Sequence, residues 1–188
     1  MKVMVEQTDF PGLLVVEVQC FTDGRGFFME TWNKRDFAAA GIEVTFVQES
    51  HSRSTRGVLR GLHYQDMKAP FAKLVRCTVG EIFDVAADLR IGSPTFGKWY
   101  GLTLSAENKK QLWIPVGFAH GFQTVSDVAE VQYRQTDYYL PGAEGAVLWS
   151  DPDLAISWPI LKPILSEKDM QAQTFAQYQK RPVFRFEG

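Results

Sequence analysis

The sequence predicts a mainly β protein, an antiparallel sandwich or barrel with short helices at its flanks. Two observations carry that prediction. Segments of strand length follow one another through the middle of the chain, with turn signals between them. The chain is also 45% hydrophobic and 22% charged over 188 residues, a size and balance that suit one domain spanning 1–188 with a sizeable core. No repeat, charge block, linker or low-complexity stretch divides it. In chain order, Asn33 is placed to cap a helix through Lys34–Ala40 that stops at Gly41. The strands Lys73–Val79, Glu81–Leu89, Trp99–Leu104 and Ala129–Thr136 alternate or carry β-formers, and Gly80, Gly92-Ser93-Pro94 and Ala106-Glu107-Asn108 separate the first three and close the third. Trp149–Pro159 holds too many prolines for a central strand and is expected to wrap the surface. Ser166 is placed to cap a longer C-terminal helix that begins at Glu167, with Asp169 at capping-box spacing.

The charge balance excludes some partners. Twenty Lys+Arg against 22 Asp+Glu give a net charge of -2, so no overall positive field supports binding to nucleic acid or to a membrane. Anion binding must be local. Cys20 and Cys77 lie far apart and match no ligand spacing, which reads as free thiols in a reducing compartment. The start, Met1-Lys2-Val3-Met4-Val5-Glu6, has no signal-peptide apolar run and no later stretch suits a bilayer span, so a soluble cytoplasmic protein is expected. The aromatic share is 13%, enough to supply flat surfaces for a base or sugar as well as a core. With only three His, there are few candidates for chemistry near neutral pH.

Two clusters concentrate the polar chemistry. In Gly57–Gln65, Arg60 and His63 are an odd number of positions apart and would face opposite sides of a strand unless a bulge at Gly61 re-aims one. His63 reads either as a hydrogen-bonded core histidine or as a base. Lys73 follows ten residues later. Cations beside a candidate base on an apolar sheet suit an anionic intermediate, whereas a core accepts such charges only when they are paired. In Leu112–Phe122, Pro115 and Gly117 make a tight turn that directs His120 from the start of the next strand. His63, His120 and a carboxylate would suffice for a metal site, although the first cluster lacks a His-x-His pair and offers Tyr64 where another ligand would be wanted.

These two clusters, with Ser93–Trp99 and Thr136-Asp137-Tyr138-Tyr139, occur in an order that resembles the dTDP-4-dehydrorhamnose 3,5-epimerases, from about Phe10 to the helix at Ser166. The resemblance implies a cupin-type antiparallel β-barrel, or jelly roll. It implies inversion of C3 and C5 of dTDP-4-dehydro-6-deoxy-D-glucose to give dTDP-4-dehydro-L-rhamnose, without metal or organic cofactor. By the resemblance His63 is the base, Asp169 the carboxylate that orients it, Lys73 the enolate stabiliser and Tyr133 the proton donor. Asp169 is equally suited to the helix cap. Arg25, Glu30, Gln48, Arg60, His120, Glu144 and Lys168 fall on the sugar-nucleotide positions, and Phe21, Phe28 and Tyr139 are candidates to pack on thymine or deoxyribose. His51 is left without a role. The chemistry is consistent, because protons at C3 and C5 adjoin the C4 ketone and their removal gives an enolate.

The chain departs from the usual family pattern at Ser50, where Asn is common and a hydroxyl replaces an amide contact to the nucleotide, and at Phe71, where Gln is common. Both bear on substrate detail rather than reaction class. Family members are dimers whose N-terminal strands cross to the partner, which implies a homodimer with Arg25 and Glu30 in the neighbouring site. The alternatives are a single-site 3- or 5-epimerase of a related dTDP-deoxysugar pathway, a metal-dependent cupin isomerase or oxygenase, and a non-catalytic sugar-nucleotide-binding module.

Overall fold

The computed structural model describes residues 2–187. Its strands, in chain order, are β1 (Val3–Gln7), β2 (Leu14–Val18), β3 (Cys20–Asp23), β4 (Gly26–Met29), β5 (Gln48–Thr55), β6 (Leu59–Gln65), β7 (Lys73–Val79), β8 (Glu81–Asp88), β9 (Arg90–Ile91), β10 (Trp99–Ser105), β11 (Gln111–Ile114), β12 (Phe118–Thr124), β13 (Val128–Gln135), β14 (Glu144–Ala146) and β15 (Phe184–Arg185). Helices α1 (Lys34–Ala39), α2 (Glu167–Met170) and α3 (Phe175–Lys180) flank them. The four segments read as strands are β7, β8, β10 and β13, each within a residue of its expected bounds.

Two antiparallel sheets face each other, in the orders β1-β2-β11-β7-β13-β5 and β10-β8-β12-β6-β14. Alternation sends every second side chain inward, so Val75 and Cys77 on β7 meet Ile82 and Ala86 on β8 and Phe118 and Phe122 on β12 in the space between the sheets. Each Val, Ile or Phe side chain buried in this way contributes about 1.5–3 kcal/mol of transfer free energy. The expected mainly β barrel is the fold observed, and α1 starts where it should: the Asn33 side chain accepts from the Arg35 and Asp36 backbone N–H groups. Phe37 of α1 then buries against Leu14, Val16 and Trp113 on the outside of the larger sheet. The rest of that outer face is polar, and there His51 and Arg53 both bond Glu130, at 3.0 and 2.7 Å, away from the barrel interior.

The C-terminal part differs from expectation. Instead of one longer helix after Ser166, the chain forms the short α2 and the separate α3. The break has two local causes. Leu148 donates its N–H to the Gln173 carbonyl, which draws the chain out into a bridge, and Thr174 with Gln177 forms a full capping box that starts α3 anew. Trp149–Pro159 lacks strand structure, as its prolines require, but it does more than wrap the surface. Its Leu154 and Trp158 are buried with Phe175, Tyr178 and Phe184 over Val85, Ala87 and Ala119, so β8 is buried on both faces. Among the described residues no helix is long and apolar enough to cross a membrane.

The approach of β6 to β12 controls the interior. His63 pairs with His120 and Arg60 with Phe122, so three steps on β6 match two on β12 and one residue is extra. Gly61 absorbs it at φ +128, with its α-carbon side so close to Gly121 that a Cβ would stand 2.5 Å from the Gly121 Cα. No side chain fits there. We expect Gly61→Ala to destabilise the fold by about 2–4 kcal/mol in denaturant titration, since both the left-handed φ and the backbone contact oppose it. Gly142→Ala, which meets nothing within 4 Å, should stay within about 0.5 kcal/mol of the parent. Equal midpoints for the two variants would contradict this account of the bulge.

Candidate active site

The extra residue at Gly61 turns both Arg60 and His63 toward a cavity of about 400 Å³ that opens between the sheets. Lys73, His120, Tyr133 and Asp169 line it as well, with Ser52, Phe122, Ile164, Leu165 and Lys168 completing much of the wall. His63 and His120 come from the smaller sheet, and Lys73 and Tyr133 from the larger one. The cavity is therefore faced by titratable groups from opposite walls.

His63 is held by α2. Its Nε2 lies 2.5 Å from Asp169 Oδ1, and the Asp169 side chain is buried while that of His63 is 30% exposed. Ser166 donates its hydroxyl to Asp169 Oδ2 at 2.8 Å and accepts the Asp169 N–H at 3.2 Å. Asp169 thus belongs to the helix cap and orients His63 at once. Burial alone would raise the Asp169 pKa, but the hydrogen bond and charge of His63, helped by Ser166 and Lys168, hold it below the ordinary carboxylate value. An ionised carboxylate only accepts, so His63 Nε2 carries a hydrogen and Nδ1 is left as the basic ring atom.

His120 is buried in β12, with its Nε2 at 3.0 and 2.9 Å from the two oxygens of Asp84, itself fully buried on β8. Burial pushes the His120 pKa down, Asp84 offsets part of this, and the charges of Lys73 and His63 push it further down. His120 is accordingly a neutral donor to Asp84 near pH 7. Lys73 opens β7, in register with Gln135 on one side and Ile114 on the other. Burial lowers its pKa to about 8 against the attraction of Asp84 and Glu144. It remains mostly a cation at neutral pH, yet little energy is needed to change that. Tyr133, in register with Val75 and Ser50, packs against the main core and reaches the same cavity.

Further contacts extend outward from Arg60 and Lys168, which line the cavity. Arg60 Nε donates to Ser54 Oγ at 3.1 Å. Glu144 on β14 ion-pairs with Lys168 and accepts the Tyr139 hydroxyl at 2.5 Å. Burial tends to raise the Glu144 pKa, but these two partners bring it below the ordinary value. Gln48 and Ser50 both donate to Gln135 Oε1, at 3.0 and 3.1 Å, and Gln48 Oε1 accepts the Tyr139 N–H at 3.1 Å. Ser50 therefore occupies a bonded position in this row rather than a gap.

Eight expected site residues do not line this cavity in the single chain: Gln48, Ser50, Tyr139 and Glu144, which reach it only through the contacts just described, and Phe21, Arg25, Phe28 and Glu30. β3 and β4 form a hairpin paired only with itself, and its tip carries Arg25, whose side chain is 91% exposed and bonds Asp23 at 2.5 Å. Phe21 and Phe28 stand opposite each other on the hairpin, 51% and 66% exposed. Glu30 accepts from Asn33 Nδ2 at 3.2 Å. Sequence reading also missed Asp84 and Ser52. Asp84 had a signal: a carboxylate at an inward position of an apolar strand must be paired. Ser52 had none, although its hydroxyl is buried without a partner beside the cavity. As for a metal, among the described residues no three His, Cys, Asp or Glu side chains gather in a liganding group.

Comparison with known proteins adds to this geometry. Residues 7–177 match the family described as dTDP-4-dehydrorhamnose 3,5-epimerase. Proteins named dTDP-4-dehydrorhamnose 3,5-epimerase from Shigella flexneri and Pseudomonas aeruginosa are 55% and 56% identical to it over 172 and 168 residues, covering 91% and 88% of this chain and 95% and 92% of theirs. A crystal structure of dTDP-6-deoxy-D-glucose-3,5-epimerase from Legionella pneumophila, in complex with dTDP-4-keto-L-rhamnose, superposes with a TM-score of 0.93 at 45% identity, covering 99% of this chain and 100% of that one.

Proposed function

The chain belongs to the dTDP-4-dehydrorhamnose 3,5-epimerase family and is an epimerase; from that premise we propose that residues 1–188 form one catalytic domain that inverts C3 and C5 of dTDP-4-dehydro-6-deoxy-D-glucose. The observation that carries this reading is that His63 and Tyr133 line one cavity from opposite sheets. A base and an acid on opposite walls suit removal of a proton from one face of a carbon and its return to the other. In this reading His63, oriented by Asp169, takes the proton from C3, and the electron pair moves to the C4 oxygen. Lys73 stabilises that enolate oxygen, and Tyr133 delivers a proton to the opposite face of C3. Once solvent has taken the proton from His63 and returned one to Tyr133, the same sequence at C5 completes the double inversion. The neutral His120, fixed by Asp84, borders the reacting sugar.

Arg60, Gln48, Ser50, Glu144, Lys168 and Tyr139 form the sugar-nucleotide rim, with Arg60 and Lys168 supplying positive charge for the diphosphate. No cofactor or metal is part of this scheme, since each step uses a side chain at the cavity and both histidines are committed to carboxylates. Two free thiols support a reducing, cytoplasmic setting. The exposed hairpin supports a homodimer in which Phe21, Arg25, Phe28 and Glu30 complete the partner's site, because an unpartnered apolar face with an Arg at its tip is costly to leave in water.

Incubated with the 4-keto sugar nucleotide in deuterated water, the protein should place solvent deuterium at both C3 and C5 in NMR spectra. Label at one carbon would assign it to the single-site epimerases, and no label at either would refute the epimerase mechanism. For the dimer, His63→Ala and Arg25→Ala subunits, each inactive alone, should on equal mixing recover about a quarter of wild-type activity, because half the pairs are mixed and each has one intact site. Mixtures as inactive as the separate variants would rule out shared sites.

A further inference from the structure

Phe71 lies two residues ahead of β7 and is one of the two departures from the family pattern. Its ring covers Lys73: the ammonium stands 5.3 Å from the Phe71 centroid and 5.8 Å from that of Tyr133. A cation within about 6 Å of a ring centroid is attracted by the electron-rich face, more strongly where water is excluded. Little else holds this ammonium. Among the described residues it makes no hydrogen bond or ion pair. The carboxylates whose charge acts on it are engaged elsewhere, Asp84 with His120 and Glu144 with Lys168 and Tyr139. The other titratable groups that line these cavities with it are Arg60, His63, Tyr64, His120, Tyr133, Lys168 and Asp169, and the one carboxylate among them, Asp169, is bonded to His63.

Phe71 is not part of the substrate cavity wall. It lies behind Lys73, with Ile114, Pro115 and Phe118 about a void of only about 10 Å³, too small for any ligand. Whatever it does for the reaction it does through the lysine. We propose that Phe71 is a positioning residue whose ring, with that of Tyr133, holds the Lys73 ammonium at the cavity while leaving its N–H groups free for an enolate oxygen. The inference rests on the epimerase reading above. An amide or carboxylate oxygen on the lysine would take up one of its three donors and, if charged, neutralise it in advance, whereas ring faces steady the charge and leave all three donors to a forming oxyanion. The same cage ties the placement of the acid, Tyr133, to that of the stabilising cation.

The test combines Phe71→Leu, which keeps an apolar side chain without the ring, with Phe71→Tyr, which restores the ring. The Lys73 titration, which burial pushes down to about 8, is followed by NMR in protein labelled at the lysine ε-carbons and assigned by its loss in Lys73→Met. Removing the ring withdraws stabilisation from the cation, so Phe71→Leu should lower the Lys73 midpoint by about half a unit and shift the alkaline limb of kcat with it. In the same variant kcat should fall about tenfold with KM within about twofold, and Phe71→Tyr should restore both. An unshifted Lys73 midpoint in Phe71→Leu overturns the proposal, as does a loss that Phe71→Tyr fails to restore. A shifted midpoint in a protein whose wild type exchanges neither carbon would support the ring cage and refute the epimerase reading, so the two claims fail separately.

Discussion

A charge placed inside a protein has to be compensated, and this barrel obeys that constraint at nearly every inward polar position. The carboxylates of Asp169 and Asp84 each take a hydrogen bond from a histidine, His63 and His120, and Glu144 pairs with Lys168. Away from the cavity, Asp88 accepts from Arg90, Ser93 and Thr95 and is fully buried, which fixes the loop before β10. These pairings arise because each partner comes from a different element, and they hold the open end of the barrel in one arrangement. Lys73 has no such bonded partner among the described residues. Its charge is met by ring faces and by carboxylates already bonded to others, so its N–H groups stay available.

The proposed chemistry draws on that difference. Negative charge that appears on a ketone oxygen beside Lys73 would supply the missing partner, and the interior would gain from forming the enolate what it lacks in the resting state. The bulge at Gly61 is the geometric counterpart. Without the extra residue, Arg60 and His63 would face opposite sides of β6 and would not share the cavity. A contact between two glycine backbones, Gly61 and Gly121, therefore governs which side chains share the cavity.

Much of this was legible in the sequence where the signal is local. Strand alternation located β7, β8, β10 and β13, Asn33 marked the start of α1, and Gly61 marked the bulge because only glycine offers that conformation cheaply. The cluster around His63 and the turn before His120 also pointed to residues that do share one cavity. Pairings across the fold were not legible. Asp84 meets His120 through strand register 36 positions away, and β5 was missed because its inward face is Gln48, Ser50, Ser52 and Ser54, which has no apolar alternation. The split between α2 and α3 depends on a bridge to Leu148, a tertiary contact that overrides helix pattern. The hairpin carrying Arg25 pairs only with itself within the chain, so nothing local in its sequence says which site it serves.

In the proposed mechanism His63 removes the proton and Tyr133 returns one from the opposite wall. The most direct measurement follows solvent deuterium entry at C3 and C5 together with inversion, in Tyr133→Phe and His63→Ala. Tyr133→Phe should keep exchanging label through the base while inversion falls at least about a hundredfold, and His63→Ala should lose both. Loss of exchange in Tyr133→Phe, or exchange that persists in His63→Ala, would contradict the assignment of base and acid to these two walls.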